Sequence, residues 1–143
     1  MNPIDVENAM KTALTTPLAS LSPVPTLHTS VTTQDIDPEK QVVIVQMESA
    51  EYTYANYGLV TITVSVRTPA QVFALSKHSD LVQAVSAAIR NTATLVSSFN
   101  SVSTSCNLLS WAGIAQVRYA TPQFEDNAWI NSMSFTGGAS QQT

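Results

Sequence analysis

From Gly58 to Arg67 the chain alternates without a break, with Val60, Ile62, Val64 and Val66 on one side and Thr61, Thr63, Ser65 and Arg67 on the other. A helix would scatter these residues around its circumference, whereas an extended strand gathers them into one apolar face and one hydroxyl face. This segment must therefore be a half-buried strand with an apolar layer against it. The run Gln41 to Met47 is β-branched and apolar on both faces, which predicts a central strand covered on both sides. The spacing of the two runs around Ala55-Asn56-Tyr57-Gly58 predicts a hairpin, with Gly58 supplying a left-handed turn residue. Leu27, Thr29 and Val31 alternate as a first strand, and Gln34 to Lys40 reads as a polar turn.

Two helical regions accompany the strands. Asn2-Pro3 followed by Asp5 and Glu7 is a helix start, with a capping side chain, a proline at the first helical position and acids facing the positive end of the dipole. Ile4, Val6, Met10, Ala13, Leu14, Leu18 and Leu21 follow at helical spacing, and Pro17 is expected to end or kink the helix near Thr15. Leu21 to Pro25 reads as a linker. Thr68-Pro69 is expected to cap the second helical region, with Phe73, Leu81, Val82, Val85, Ala88 and Ile89 as its stripe and a break at Ser79-Asp80. Val96 to Ser110 reads as Ser-rich and irregular. Gly113 to Ala120 and Ala128 to Thr136 read as two more strands, the last placing Trp129, Asn131, Met133 and Phe135 on one face.

The order predicts an α+β fold: a mixed, mainly antiparallel sheet of four to six strands with two main helices on it. At 143 residues the chain is one domain's worth, read as a single domain over residues 1–136 and a flexible Gly-Gly tail over 137–143.

Composition narrows the partners. Only 11% of residues are charged, against about 25% in an average domain, and 17 Ser and 17 Thr take their place. Such a surface has little long-range repulsion between copies, and we read much of it as meant to meet other protein. Six scattered Lys and Arg in a chain of net charge -4 make no phosphate-binding stripe, so no sequence-specific nucleic-acid binding is expected. The N-terminus lacks the cations and apolar run of a signal peptide, and no stretch is apolar enough to span a membrane. Cys106 stands alone, which excludes an internal disulfide and fits a small buried hydrophobe.

Catalytic chemistry finds few footholds. His78-Ser79-Asp80 holds the letters of a triad, but adjacent residues on a helix point about 100° apart, so a polar helix boundary is the expectation. Asp35, Asp37 and Glu39 resemble the start of a calcium loop, yet Pro38 and Lys40 stand where that loop needs a flexible residue and glycine. His28 has no companion ligands in sequence. No nucleophile-elbow, phosphate-loop, dinucleotide or zinc-protease motif occurs, and the expectation is a non-enzyme with no catalytic residue, cofactor or metal. Tyr52, Tyr54 and Tyr57 form the aromatic cluster of the chain. Two residues apart on a strand, Tyr52 and Tyr54 are expected on one face, as a subunit interface or as a stacking platform for a ligand. Trp111 and Trp129 are expected to be core or interface anchors.

Taken together, the N-terminal helix from Ile4, the Pro23-Val24-Pro25 entry, the hairpin from Val42 to Val66, the helix ending at Ile89-Arg90 and a last strand with Trp129 and Phe135 resemble the tail terminator, or tail-completion, proteins of long-tailed bacteriophages. The resemblance covers residues 3–136. It implies a structural virion protein made in the host cytoplasm and located at the tail or neck. Its subunits would form a hexameric, homo-oligomeric ring that caps the tail tube and meets the connector or stopper. Within that picture the acidic turn of Asp35, Asp37 and Glu39 is a candidate channel lining that keeps passing DNA from sticking. Head-tail stoppers, tail-tube subunits and capsid decoration proteins are alternatives of similar size. A small binding module using Tyr52 and Tyr54, or an enzyme with His28 or His78 beside an acid, belongs to other classes.

Overall fold

The computed structural model describes residues 2–110, 118–119 and 123–141. Helix α1 (Pro3–Leu18) starts as its sequence requires: the Asn2 side chain accepts from the N–H of Ile4 at 3.0 Å and of Asp5 at 3.4 Å, with Pro3 at the first helical position. Val6, Ala9, Met10, Ala13, Leu14 and Leu18 are buried at intervals of three and four. Pro17 lies inside the helix instead of stopping it near Thr15. In the last turn it forfeits a single hydrogen bond, which the buried Leu18 beyond it outweighs.

The chain continues through β1 (Thr26–Thr29), β2 (Val42–Tyr54), β3 (Tyr57–Pro69), α2 (Leu75–Arg90), α3 (Thr92–Val102), β4 (Cys106–Ser110), β5 (Arg118–Tyr119), β6 (Gln123–Glu125) and β7 (Ala128–Gln141). The sheet runs β1-β2-β3-β7-β4, with short β5 and β6 also paired to β7; β1 is parallel to β2 and the other pairings are antiparallel. This is the mixed, mainly antiparallel α+β architecture expected, with three helices rather than two main ones. Val60, Ile62, Val64 and Val66 are fully buried beneath the helices, where α2 contributes Leu81, Val85 and Ile89 and α3 contributes Leu95 and Phe99. Cys106 is buried with them, and burial raises its thiol pKa against the hydrogen bonds of Ser103 and Ser105. Among the described residues no helix is long and apolar enough to cross a membrane.

Several expectations change. The region 96–110 is ordered as most of α3 and all of β4; its serines sit on the exposed side of a helix whose buried face needs only Leu95 and Phe99. Thr68-Pro69 is the end of β3 rather than a helix cap, and α2 begins at Leu75 and passes through Ser79-Asp80 without a break. Val31 lies beyond β1 and is exposed. Strand β2 is covered on both sides only at its start, where Val42 and Val43 are both buried, while Gln46 and Glu48 are exposed. The tail is the largest correction: residues 137–141 belong to β7, paired on one side with β3 and on the other with β4. Glycines show no side-chain period, but their backbones complete ladders when strands flank them on both sides. Trp111 and most of the expected strand 113–120 lie outside the described residues.

Two carboxylates in the first turns of α1 hold the flanks of the sheet. Two positions apart on a helix, Asp5 and Glu7 point about 200° from one another. Glu7, 4% exposed, accepts from Ser30 N–H at 3.1 Å, from the Ser30 hydroxyl at 2.5 Å and from Met47 N–H at 3.0 Å. It thereby ties the exit of β1 and the free edge of β2 to the helix. Asp5 accepts from the hydroxyls of Ser103, Thr104 and Ser105 and from the backbone N–H of Thr104 and Ser105, at 2.6 to 3.2 Å, fixing the loop that launches β4. At the outer edge of β4, the Asn100 amide closes both backbone groups of Leu108 at 2.8 and 2.9 Å.

Both anchors give measurable consequences. Burial raises the Asp5 pKa, but the hydrogen bonds from Ser105, Ser103 and Thr104 outweigh it and hold the group at about 2, against 3.8 for a free side chain. A depressed folded-state pKa gives stability that is complete above the unfolded value and is lost as pH falls from 3.8 toward 2. Urea midpoints should therefore drop across that window in the parent protein and less steeply in Asp5→Asn, which starts from a lower midpoint at neutral pH. Replacing Glu7 with Ala leaves Ser30 and Met47 N–H groups without acceptors and should cost about 2–4 kcal/mol in urea unfolding.

Candidate assembly surface

Cross-strand partners lie on the same face of a sheet, so the register of β3 with its neighbours divides the structure into two sides. On the side away from the helices, Thr61 meets Thr136 at 3.0 Å, Thr63 meets Ser134 at 3.1 Å and Ser65 meets Ser132 at 3.1 Å, hydroxyl to hydroxyl. This ladder is half-exposed and runs down the middle of the sheet. The alternation that specifies a strand thus also specifies a neutral, hydrogen-bonded outer face.

The tyrosine cluster stands at the tip of the β2–β3 hairpin, where Ala55 and Asn56 form the turn. A register shift between Tyr52 and Tyr54 places Tyr52 opposite Gly58 and Tyr54 opposite Tyr57. Because Tyr57 and Gly58 are adjacent on β3, Tyr52 and Tyr54 fall on opposite faces, contrary to their two-residue spacing. Tyr52 is 51% exposed and Tyr54 70%. Tyr54 and Tyr57 lie with ring centroids 6.4 Å apart, and the Tyr57 hydroxyl passes where a side chain on Gly138 would stand. Gly58 is not the left-handed turn residue. It is needed because a Cβ there would run into the Glu51 backbone at the bulge. Positive φ occurs instead at Asp126 (50°) and Asn127 (58°), the two-residue turn between β6 and β7, a signal in the letters that our sequence reading passed over.

Asp35, Asp37 and Glu39 are exposed on the crossover from β1 to β2, and Asp37 accepts the Glu39 N–H at 2.9 Å. They are not gathered with the tyrosines. Arg67 and His28 sit on the outer face, next to Val42 and Ile44 respectively, and Arg67 Nη1 and His28 Nε2 are buried without a hydrogen-bond partner. His78 is not a polar boundary: it falls on the buried stripe of α2 with Leu81 and Val85 and is 2% exposed. Gln41 Nε2 donates to Thr68 Oγ1 at 3.2 Å, the Thr68 hydroxyl meets His78 Nδ1 at 2.7 Å, and His78 Nε2 meets Asn131 Oδ1 at 2.9 Å. Read in one direction, donors and acceptors match for a neutral imidazole with its proton on Nε2. Trp129 leans on this network and on Phe124, with centroids 6.4 and 6.1 Å away.

Among the described residues no three His, Cys, Asp or Glu side chains come together as a metal site. An open groove of about 290 Å³ between the helices is lined by small residues such as Ala13, Ala84 and Ala87, together with Asn91 and Thr94. The chemistry-bearing feature of the described surface is therefore the outer sheet face with its projecting hairpin. Gly58→Ala should disturb that hairpin and lower stability by about 1–3 kcal/mol in thermal unfolding, because the carbonyl it meets belongs to the backbone.

No protein-family description matches the sequence, and no curated protein matches it. Solved structures do share the fold. One, whose name states no function, is 14% identical with a TM-score of 0.54, the match covering 100% of this chain and 97% of that one. Another is a chain described as the virion of a native gene transfer agent particle, 13% identical with a TM-score of 0.52 over 94% of this chain and 97% of that one. At these identities the likeness establishes a common fold, extending over nearly the whole length of all three chains.

Proposed function

We propose that this chain is a structural virion protein, the tail terminator subunit of a long-tailed, phage-like particle. Six copies close into a ring that caps the tail tube and joins it to the head-tail connector. The observation that carries the reading is the fold shared, end to end, with a chain of a gene transfer agent virion. The sequence adds a low-charge, hydroxyl-rich exterior suited to repeated contacts between copies. The role is assembly, without catalysis, cofactor or metal. The exposed carboxylates of Asp35, Asp37 and Glu39 would face the channel of the ring and repel DNA passing through it. A ligand module built on Tyr52 and Tyr54 is disfavoured, since the bulge sends the two rings to opposite faces.

The test is the mass of the purified protein by light scattering over a range of concentrations and at two salt levels, alone and with tail tubes. A discrete mass near six subunits, or a monomer that forms such rings only on tube ends, is the expected result. Imaging of the ring should then place the acidic turn on the channel wall. Long polymers would mark a tube protein instead, and a strict monomer that docks on no tail would overturn the virion reading.

A further inference from the structure

The groove between the helices has a definite chemistry. Pro17 of α1, Ala84 and Ala87 of α2 and Leu95 of α3 give it apolar walls, while Asn91 and Thr94 add an amide and a hydroxyl. Its volume of about 290 Å³ is at the lower limit of ligand clefts, which run from about 300 to 1,000 Å³, and is a space for one side chain. Apolar walls with hydrogen-bonding groups beside them suit a phenol, whose ring is desolvated while its hydroxyl finds a partner. The charge around the groove is simple. Helix α1 carries none beyond Lys11, and none occurs from Asn91 to Val117. Arg90 is exposed one turn beyond Ala87, about 5 Å along α2, and its Nε makes a long hydrogen bond of 3.4 Å to Ser86 O of its own helix. Lower on α2, Lys77 and Asp80 stand three residues apart and offset one another. The seat is therefore cationic.

The β2–β3 hairpin has the opposite sign. From Gln41 to Val66 there is no Lys or Arg, the charges there are Glu48 and Glu51, both exposed, and β7 beside the hairpin carries no charge. Glu51 lies opposite Leu59 and Tyr54 opposite Tyr57, and since Leu59 and Tyr57 are two apart on β3, the acid and the phenol share a face, about 7 Å apart along the strand. That spacing is close to the one between Arg90 and Ala87. Tyr54 is more exposed than Tyr52 and stands nearer the turn. Phe124 is also an exposed aromatic next to an acid, Glu125, but it has no hydroxyl to offer Asn91 or Thr94.

We propose that the groove between the helices of one copy receives Tyr54 of the next, with the ring against Ala84 and Ala87, the hydroxyl toward Asn91 and Thr94, and Glu51 of the same arm meeting Arg90. This contact rests on the ring reading and names the surfaces that close it. Arm and groove are different surfaces of one subunit, so each copy gives its arm to one neighbour and its groove to the other, the head-to-tail relation a ring requires. Two acidic arms, or two cationic seats, would repel one another.

Substitutions in the full chain test it, with mass read by sedimentation and folding by circular dichroism. The four positions changed are exposed, so the fold should be retained. Tyr54→Ala, and Ala87→Trp which fills the groove, should each weaken self-association by about 10-fold or more, and Tyr54→Phe should weaken it less, through loss of the hydroxyl alone. Glu51→Arg and Arg90→Glu should each weaken it as well, and the two together in one chain should restore the parental mass. Where the parent rings only on tube ends, the same variants are read there as lost capping. A parental ring that Tyr54→Ala and Ala87→Trp leave unchanged would overturn this contact while leaving the ring intact, and so would a ring broken by Phe124→Ala but not by Tyr54→Ala. A parent that rings neither alone nor on tubes would overturn the ring reading and the contact with it.

Discussion

The buried carboxylate of Glu7 is the interaction on which the rest of the structure depends. A group that would be costly to bury unpaired is placed within reach of three donors, two on Ser30 at the exit of β1 and one on Met47 of β2. The only parallel pairing in the described sheet, β1 with β2, needs a crossover of a dozen residues stiffened by no more than a single 3-10 turn, Thr33–Asp35. Glu7 supplies what the crossover lacks by fastening its first residue, Ser30, to α1. On the opposite side of the same helix, Asp5 does the equivalent for the loop before β4, so one short helical turn sets the position of both flanks.

Edge control follows from this arrangement. The strand β4 is closed by Asn100 and the start of β2 by β1 and Glu7, while the central β3 and β7 pair over their full length. Among the described residues, the distal half of β2 has no flanking strand on its outer side and carries Glu48 and Glu51 there. An open edge guarded by charge resists indiscriminate pairing yet remains available to a surface of the opposite sign.

The neutral exterior has a structural explanation of its own. Thr and Ser along β3 and β7 spend their hydroxyls on one another across the ladder, giving a polar face without charge. His78, buried against the sheet, is likewise satisfied on both ring nitrogens by Thr68 and Asn131. The described interior thus combines an apolar layer with a small closed polar network, and the candidate function lies on the outer surface.

The sequence by itself determined every feature that depends on local periodicity or local chemistry: the cap at Asn2, the stripe of α1, the alternating β3 and the hairpin joining it to β2. These are legible because three or four neighbouring residues suffice to specify them. Helix α3 was not, since Leu95 and Phe99 are a face of two residues amid serines that signal a loop. The two-glycine end of β7 was not, because backbone pairing on both sides leaves no mark in side-chain order. Nor were the opposed faces of Tyr52 and Tyr54, since one extra residue in a strand inverts every inference from spacing. Only the tertiary structure decided which edges are closed, that Glu7 and Asp5 reach across 23 to 100 positions of chain to their partners, and that one guanidinium nitrogen of Arg67 is buried without a partner. Those are contacts between distant segments, whose energies depend on how layers meet rather than on which residues follow one another.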